Sequence, residues 1–275
     1  MERSHSIFFV VVIFFSLTFS VFAEEVEQKF QGFNLQGYSE TGQKSWEVNG
    51  DTANILGNDV KITNVNANVY GQQKANITAE TGLVNQVSGK MHLEKNVTIT
   101  GERGTQLTTN YLDWNRNEDL LTTEDKVFIV DQKYIAAGHG LKAHPTLKDG
   151  QLLKDVFIRA NTQPEEKEPM WATITCDGPL TIDQAKSSAI FENNVVAVGK
   201  DRTLKADRVE IYFNQETNQM KEAVCIGNVR LTQGQNKTFA EKLIYHGLDQ
   251  KLVLLGRPKV IMFTEDKNGF TASGN

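Results

Sequence analysis

The side chains of this 275-residue chain best suited to bind a metal or act as nucleophiles are five histidines, at 5, 92, 139, 144 and 246, and two cysteines, Cys176 and Cys225. His139 and His144 are the only close pair, in GHGLKAHP. Successive residues of a strand point to opposite faces, so a spacing of five sends the two rings apart and argues against a shared metal. The cysteines form no CxxC pair, which leaves zinc and dithiol redox chemistry without support. Each reads either as a small buried apolar residue or as half of a disulfide, which an oxidising compartment would permit. No GxSxG turn, HExxH helix, Gly-rich phosphate loop or pair of carboxylates beside an apolar pocket is present. The sequence therefore predicts no catalytic residue, metal or cofactor, and function must reside in surfaces. The Asn-x-Thr triplets at Asn76, Asn96 and Asn236 are the pattern of a glycosylation acceptor but arise by chance in a Thr-rich chain, and Trp46, Trp114 and Trp171 read as packing residues.

The elements that must build those surfaces announce themselves by repetition. NVTIT at Asn96 returns as DVKIT at Asp59, KVFIV at Lys126, DVFIR at Asp155, NVVAV at Asn194 and NVRLT at Asn228, with a weaker echo, PKVIM, at Pro258. The anchoring residues Val60, Val97, Val127, Val156, Val195, Val229 and Val260 recur every 29 to 39 residues. A second landmark, such as Ile77-Thr78-Ala79 or Leu204-Lys205-Ala206, precedes most of them by a nearly constant offset, which makes this an internal repeat. Within a unit the period is two: Val209, Ile211 and Phe213 alternate with Glu210 and Tyr212, NQETNQ intervenes, and Val224, Ile226, Val229 and Leu231 follow. The unit is strand, polar turn, strand, with similar turns at NRNED, KDG and LDQ.

Seven such hairpins give about fourteen strands, too many to stay flat. The expected fold is all-β: an elongated, open antiparallel jellyroll with an apolar seam along its length. A parallel β-solenoid of structural or adhesive use, without lipid cargo, is the alternative, though such coils keep stricter lengths. ANTQPEEKEP, from Ala160 to Pro169, reads as a linker between two halves. The last apolar run, KLVLLGRPKVIMF from Lys251 to Phe263, reads as an edge that receives another strand. A net charge of -5 and no basic cluster exclude nucleic acid as a partner. Residues Ile7 to Ala23 carry no charge and follow Arg3, so residues 1–23 read as an export segment, either a signal peptide cleaved after Ala23 or a retained membrane anchor.

In GYSETGQKSWEVNGDTA, with Gly42, Trp46, Gly50 and Ala53, then ITAETG and LEKNVTIT, the first half resembles LptC, the membrane-anchored component of lipopolysaccharide transport. The second half resembles the LptA/OstA domain in LKADRVEIYF, IGNVRLTQG and FAEKLIYHGLDQKLVLLGRPKV, although Glu241 stands where that family often has Asp. The resemblance implies jellyrolls over 24–163 and 170–263, a polar tail over 264–275, and a periplasmic protein that holds the acyl chains of lipopolysaccharide in an apolar groove without enzymatic chemistry. It also implies as partners the inner-membrane lipopolysaccharide ABC transporter and further jellyroll proteins joined by edge-strand pairing. The expected groove lining is Val97, Ile99, Val127, Ile129, Val156, Ile158, Val229 and Leu231, with Ile211 and Phe213 on the partner strand.

Overall fold

A computed structural model describes residues 28–70, 74–161, 171–217 and 219–263. The export segment, the tail over 264–275 and most of ANTQPEEKEP lie outside the described residues. The rest is a meander of seventeen strands: β1 (Gln28–Tyr38), β2 (Lys44–Leu56), β3 (Asp59–Val69), β4 (Ala75–Asn85), β5 (Lys90–Gly101), β6 (Gln106–Asn115), β7 (Leu120–Val130), β8 (Tyr134–Ala143), β9 (Asp149–Asn161), β10 (Trp171–Cys176), β11 (Leu180–Asp183), β12 (Ser188–Val198), β13 (Arg202–Phe213), β14 (Met220–Gln233), β15 (Asn236–His246), β16 (Lys251–Leu255) and β17 (Lys259–Ile261). The pairing is antiparallel throughout, and from β1 to β9 and from β12 to β15 each strand pairs with its neighbours in sequence, while β16 and β17 both pair with β15. The parallel solenoid is thereby excluded. β9 pairs with both β10 and β11, which in turn pair with β12, so the ladder runs unbroken between the two halves of the sequence.

The long strands are not straight. Most ladders are interrupted once near their middle, as between Thr78 and Thr81 in β4 or Glu192 and Val195 in β12, and there the backbone turns a corner. Left-handed residues mark these corners: Asn64, Asn96, Asp155, Asn194 and Asn228 all have φ near +50°. That conformation costs most L-residues about 1–2 kcal/mol, and Asn and Asp adopt it most readily because their short polar side chains bond locally. Here they bond to an acidic residue of the preceding segment: Asn64 to Asp51 (2.6 Å), Asn96 to Glu80 (2.5 Å), Asn194 to Asp177 (2.5 Å) and Asn228 to Asp207 (2.9 Å). Asp155 faces His139 at 3.1 Å instead. At one corner the backbone passes so close that a Cβ on Gly227 would sit 2.3 Å from Asp207 Oδ2.

At Asn96, Asp155, Asn194 and Asn228 the repeated phrase is thus a corner signal: Asn or Asp takes the left-handed turn and the following Val drops into the core, whereas in KVFIV Lys126 stands at the ladder break without a left-handed φ. Two readings of it need correction. DVKIT at Asp59 begins just after a hairpin turn; the equivalent corner of β3 is Asn64-Val65, in NVNAN, which lacks the large apolar residue two positions on and so escapes the pattern. Val260 is 53% exposed, and its run splits at Gly256 and Arg257, both at positive φ, into two short strands. Splits of this kind, here and between β10 and β11, account for two of the strands beyond the expected fourteen or so.

The corners fold the sheet into two facing arms. In the upper arm lie residues such as Val97 and Ile99 of β5; in the lower arm lie Met91 and Leu93 of the same strand. Their inward side chains form one continuous core from Val48 to Leu243. Full burial of each Ile, Leu or Val contributes about 1.5–3 kcal/mol, which is what holds the arms together.

Candidate functional site

The inward residues line up in rows across the strands, and the rows differ by depth. At the vertex, Val65, Val97, Val127, Val156, Val195 and Val229 of the upper arm are all buried, as are Ile62, Leu93, Leu141, Leu152, Leu180, Phe191, Val209 and Leu243 of the lower. Nearer the arm tips a cross-strand row runs Val48, Ala67, Ile77, Ile99, Leu107, Ile129, Ala136, Ile158, Ile174, Ala197, Leu204, Leu231, Thr238 and Val260. Its first five members are fully buried; Ile129 and every member from Ile174 onward are partly exposed or open. The lower arm repeats this: Val60, Val84, Met91, Trp114, Leu121 and Ala143 are buried, whereas Ile182, Ala189, Ile211, Ala223 and Tyr245 are half-buried and Leu252 is 42% exposed. The vertex is filled throughout, and apart from Ile129 the mouth opens in the second half.

All ten predicted lining residues except Phe213 belong to the core cluster or pack against it. The structure divides them. Val97, Val127, Val156 and Val229 form the floor; Ile129, Leu231 and Ile211 reach the open side; Ile99 lies under the closed half; Ile158 is nearly buried; and Phe213 ends the lower arm opposite Met220.

Where closed meets open, a small pocket of about 40 Å³, partly open to solvent, lies between Leu107, Ile129 and Tyr134 of the upper arm and Leu141, Leu147, Leu152, Leu180 and Ile182 of the lower. Burial pushes the Tyr134 phenol up to about 12, so it stays neutral in this apolar place. Sequence reasoning missed Tyr134, Leu147, Leu180 and Ile182; the last two sit on the short β11, with no repeat phrase to mark them.

Over the closed half the arm tips touch. Arg116, in the β6–β7 turn of the lower arm, stacks on Trp46, at the upper-arm tip of β2, with Cζ 4.1 Å from the ring centre. Arg116 Nε donates to the Gly89 carbonyl at 2.9 Å, while Nη1 is buried with no hydrogen-bond partner among the described residues. Burial holds this guanidinium below its ordinary pKa. Trp46 is therefore more than packing, and nothing in NRNED distinguished Arg116 from an ordinary turn residue. Trp114 is core, and Trp171, 39% exposed, stacks under Arg159 on the outer face.

The histidines and cysteines are engaged separately. His139 faces Asp155, and His144 Nδ1 lies 2.8 Å from the Asp119 carbonyl oxygen. Both cysteines are free and buried, and burial pushes the Cys225 thiol up to about 12. Among the described residues, the outer edges of β1, β16 and β17 have no strand partner.

Residues 20–161, more than half of the chain, match the family described as lipopolysaccharide-assembly, LptC-related. The chain belongs to that family. Residues 174–274 match a second description, LptA/(LptD N-terminal domain) LPS transport protein, so an LptC-like half is followed by an LptA-like half. No curated protein matches the chain. Among the described residues no helix is long and apolar enough to cross a membrane.

Proposed function

We propose that this LptC-related chain, whose two family matches support a role in lipopolysaccharide transport, acts without enzymatic chemistry by holding acyl chains in the open trough of its second half. The supporting observation is the row of tip residues, which is sealed through β6, partly exposed at Ile129, buried again at Ala136 and Ile158, and accessible from Ile174 of β10 onward, staying apolar to Leu231. At about 0.8 kcal/mol per buried CH₂, one chain of a dozen carbons costs on the order of 10 kcal/mol to expose to water. An apolar trough lowers that cost by geometry alone. The unpaired edges at β1 and at β16–β17 would extend it, by strand addition, to the inner-membrane transporter and to further jellyroll proteins. Residues 7–23 would either anchor the chain in the inner membrane or direct it to the periplasm and be removed.

The test is a photo-reactive residue at Ile211 or Ile129, with Lys205, on the outer face, as control. Lipopolysaccharide adducts at the inward positions and none at Lys205 are expected. Equal labelling at all three would overturn the trough.

A further inference from the structure

The carrier reading leaves the first half unexplained, because its interior has no room. Val48, Ala67, Ile77, Leu93, Ile99 and Leu107 are completely buried. A hydrocarbon tail enters there only if the arm tips part, and the contact between Trp46 and Arg116 spans those tips. As a structural tie it is an odd choice. A guanidinium carries five N–H donors, yet among the described residues one nitrogen here is buried without a partner, no carboxylate is paired with it, and an aromatic face and one carbonyl hold the charge. A half-buried cation with one donor shut off from water and no anion is poorly compensated, whereas the same guanidinium meets a phosphate with short, bidentate, charge-assisted bonds.

We infer that Trp46 and Arg116 form a latch over the first half of the trough, released when the phosphate of an anionic amphiphile draws Arg116 off the indole. The latch rests on the trough reading and adds to it a head-group requirement. A neutral amphiphile offers the guanidinium nothing in exchange for the ring. Free phosphate offers the charge but no tail to occupy the parted arms. Only a molecule with both gains from opening, and it places its phosphate at the mouth with its chain beneath.

Hydrogen exchange on the full chain tests this, with dodecyl phosphate, dodecyl maltoside and inorganic phosphate as probes. Dodecyl phosphate is expected to speed amide exchange about tenfold at the tips of β2 and β6, and the other two probes to leave it unchanged. Arg116→Gln should exchange fast at those tips without any probe and respond alike to both detergents. Arg116→Lys keeps the charge over the ring and should retain the preference. Equal responses of the natural protein to all three probes, or a head-group preference that survives Arg116→Gln, would overturn the latch. Lipid adducts at Ile211 with unaltered β2 and β6 exchange would sink the latch and spare the trough. Absence of adducts at Ile211 would sink both.

Discussion

The two halves of this molecule are made from the same repeat and the same corner, yet one is filled and the other gapes. In β2 to β6 the tip rows carry Val48, Ile77, Ile99, Met91 and Trp114, none more than 2% exposed. In β13 to β17 the equivalent rows carry Leu204, Leu231, Ile211, Tyr245, Leu252 and Val260, all of which see solvent. The side chains are no less apolar. What differs is that a strut between Trp46 and Arg116 ties the tips over the first half, whereas the second half, with β13 to β15 as long as β2 to β6, ends in the two short edge strands β16 and β17. Apolar periodicity alone therefore specifies that two faces meet, and the tips decide whether they seal.

The sharpest way to break this comparison is chemical access. Cys225, on the floor, should resist a maleimide in the folded state by orders of magnitude relative to a cysteine introduced at Leu252, because its thiol is buried and stays protonated up to about 12. Rapid native labelling at Cys225 would mean that the vertex, too, is open. Next in size is packing: Trp114→Ala should cost about 3–5 kcal/mol in denaturant unfolding and Leu252→Ala under about 1 kcal/mol. Equal losses would erase the distinction.

The corners, in contrast, should behave alike in both halves. Asn96→Val and Asn228→Val should each lose about 1–2 kcal/mol for the left-handed backbone, and roughly 1 kcal/mol more for the bond to Glu80 or Asp207, with Asn→Gly at the same sites restoring the backbone part. A smaller loss at Asn228 would show that the open half tolerates a bent corner. The smallest effect belongs to His92 on the outer face of the closed half. Its pKa is raised chiefly by the 2.6 Å bond to Asp113, and further by Glu94. The stabilisation is then whole below the unfolded value of about 6.5 and is lost as pH climbs through the higher folded value. The groups are well exposed, so screening keeps it under about 1 kcal/mol, and His92→Gln should flatten that part of the pH profile.

Much of this was legible in the residues. The alternation of Val209, Ile211 and Phe213 is a local property of a strand with one buried face, and it gave both the strands and their inward sides. The phrase at Asn96, Asn194 and Asn228 marked corners because the backbone there restricts the residue type. Asn64 escaped because the two residues after its Val are Asn and Ala rather than a large apolar one. Depth was not legible: Val97 and Ile129 look equivalent in sequence, but one is floor and the other mouth, a distinction made by how far apart the arms stand. Arg116 was invisible for the same reason, since its partner is seventy residues away in the chain and across the gap.

Strand order in this sheet is chain order, and that has a bearing on how the molecule is made. Every long strand finds its partner in the segment synthesised just before it, so the polypeptide can zip up one hairpin at a time from its amino end, with no stretch waiting for a distant mate. Growth by accretion also means that, besides the outer edge of β1, the exposed ridge at any moment is the newest one, and the finished protein keeps the last of these ridges, at β16 and β17, on its surface.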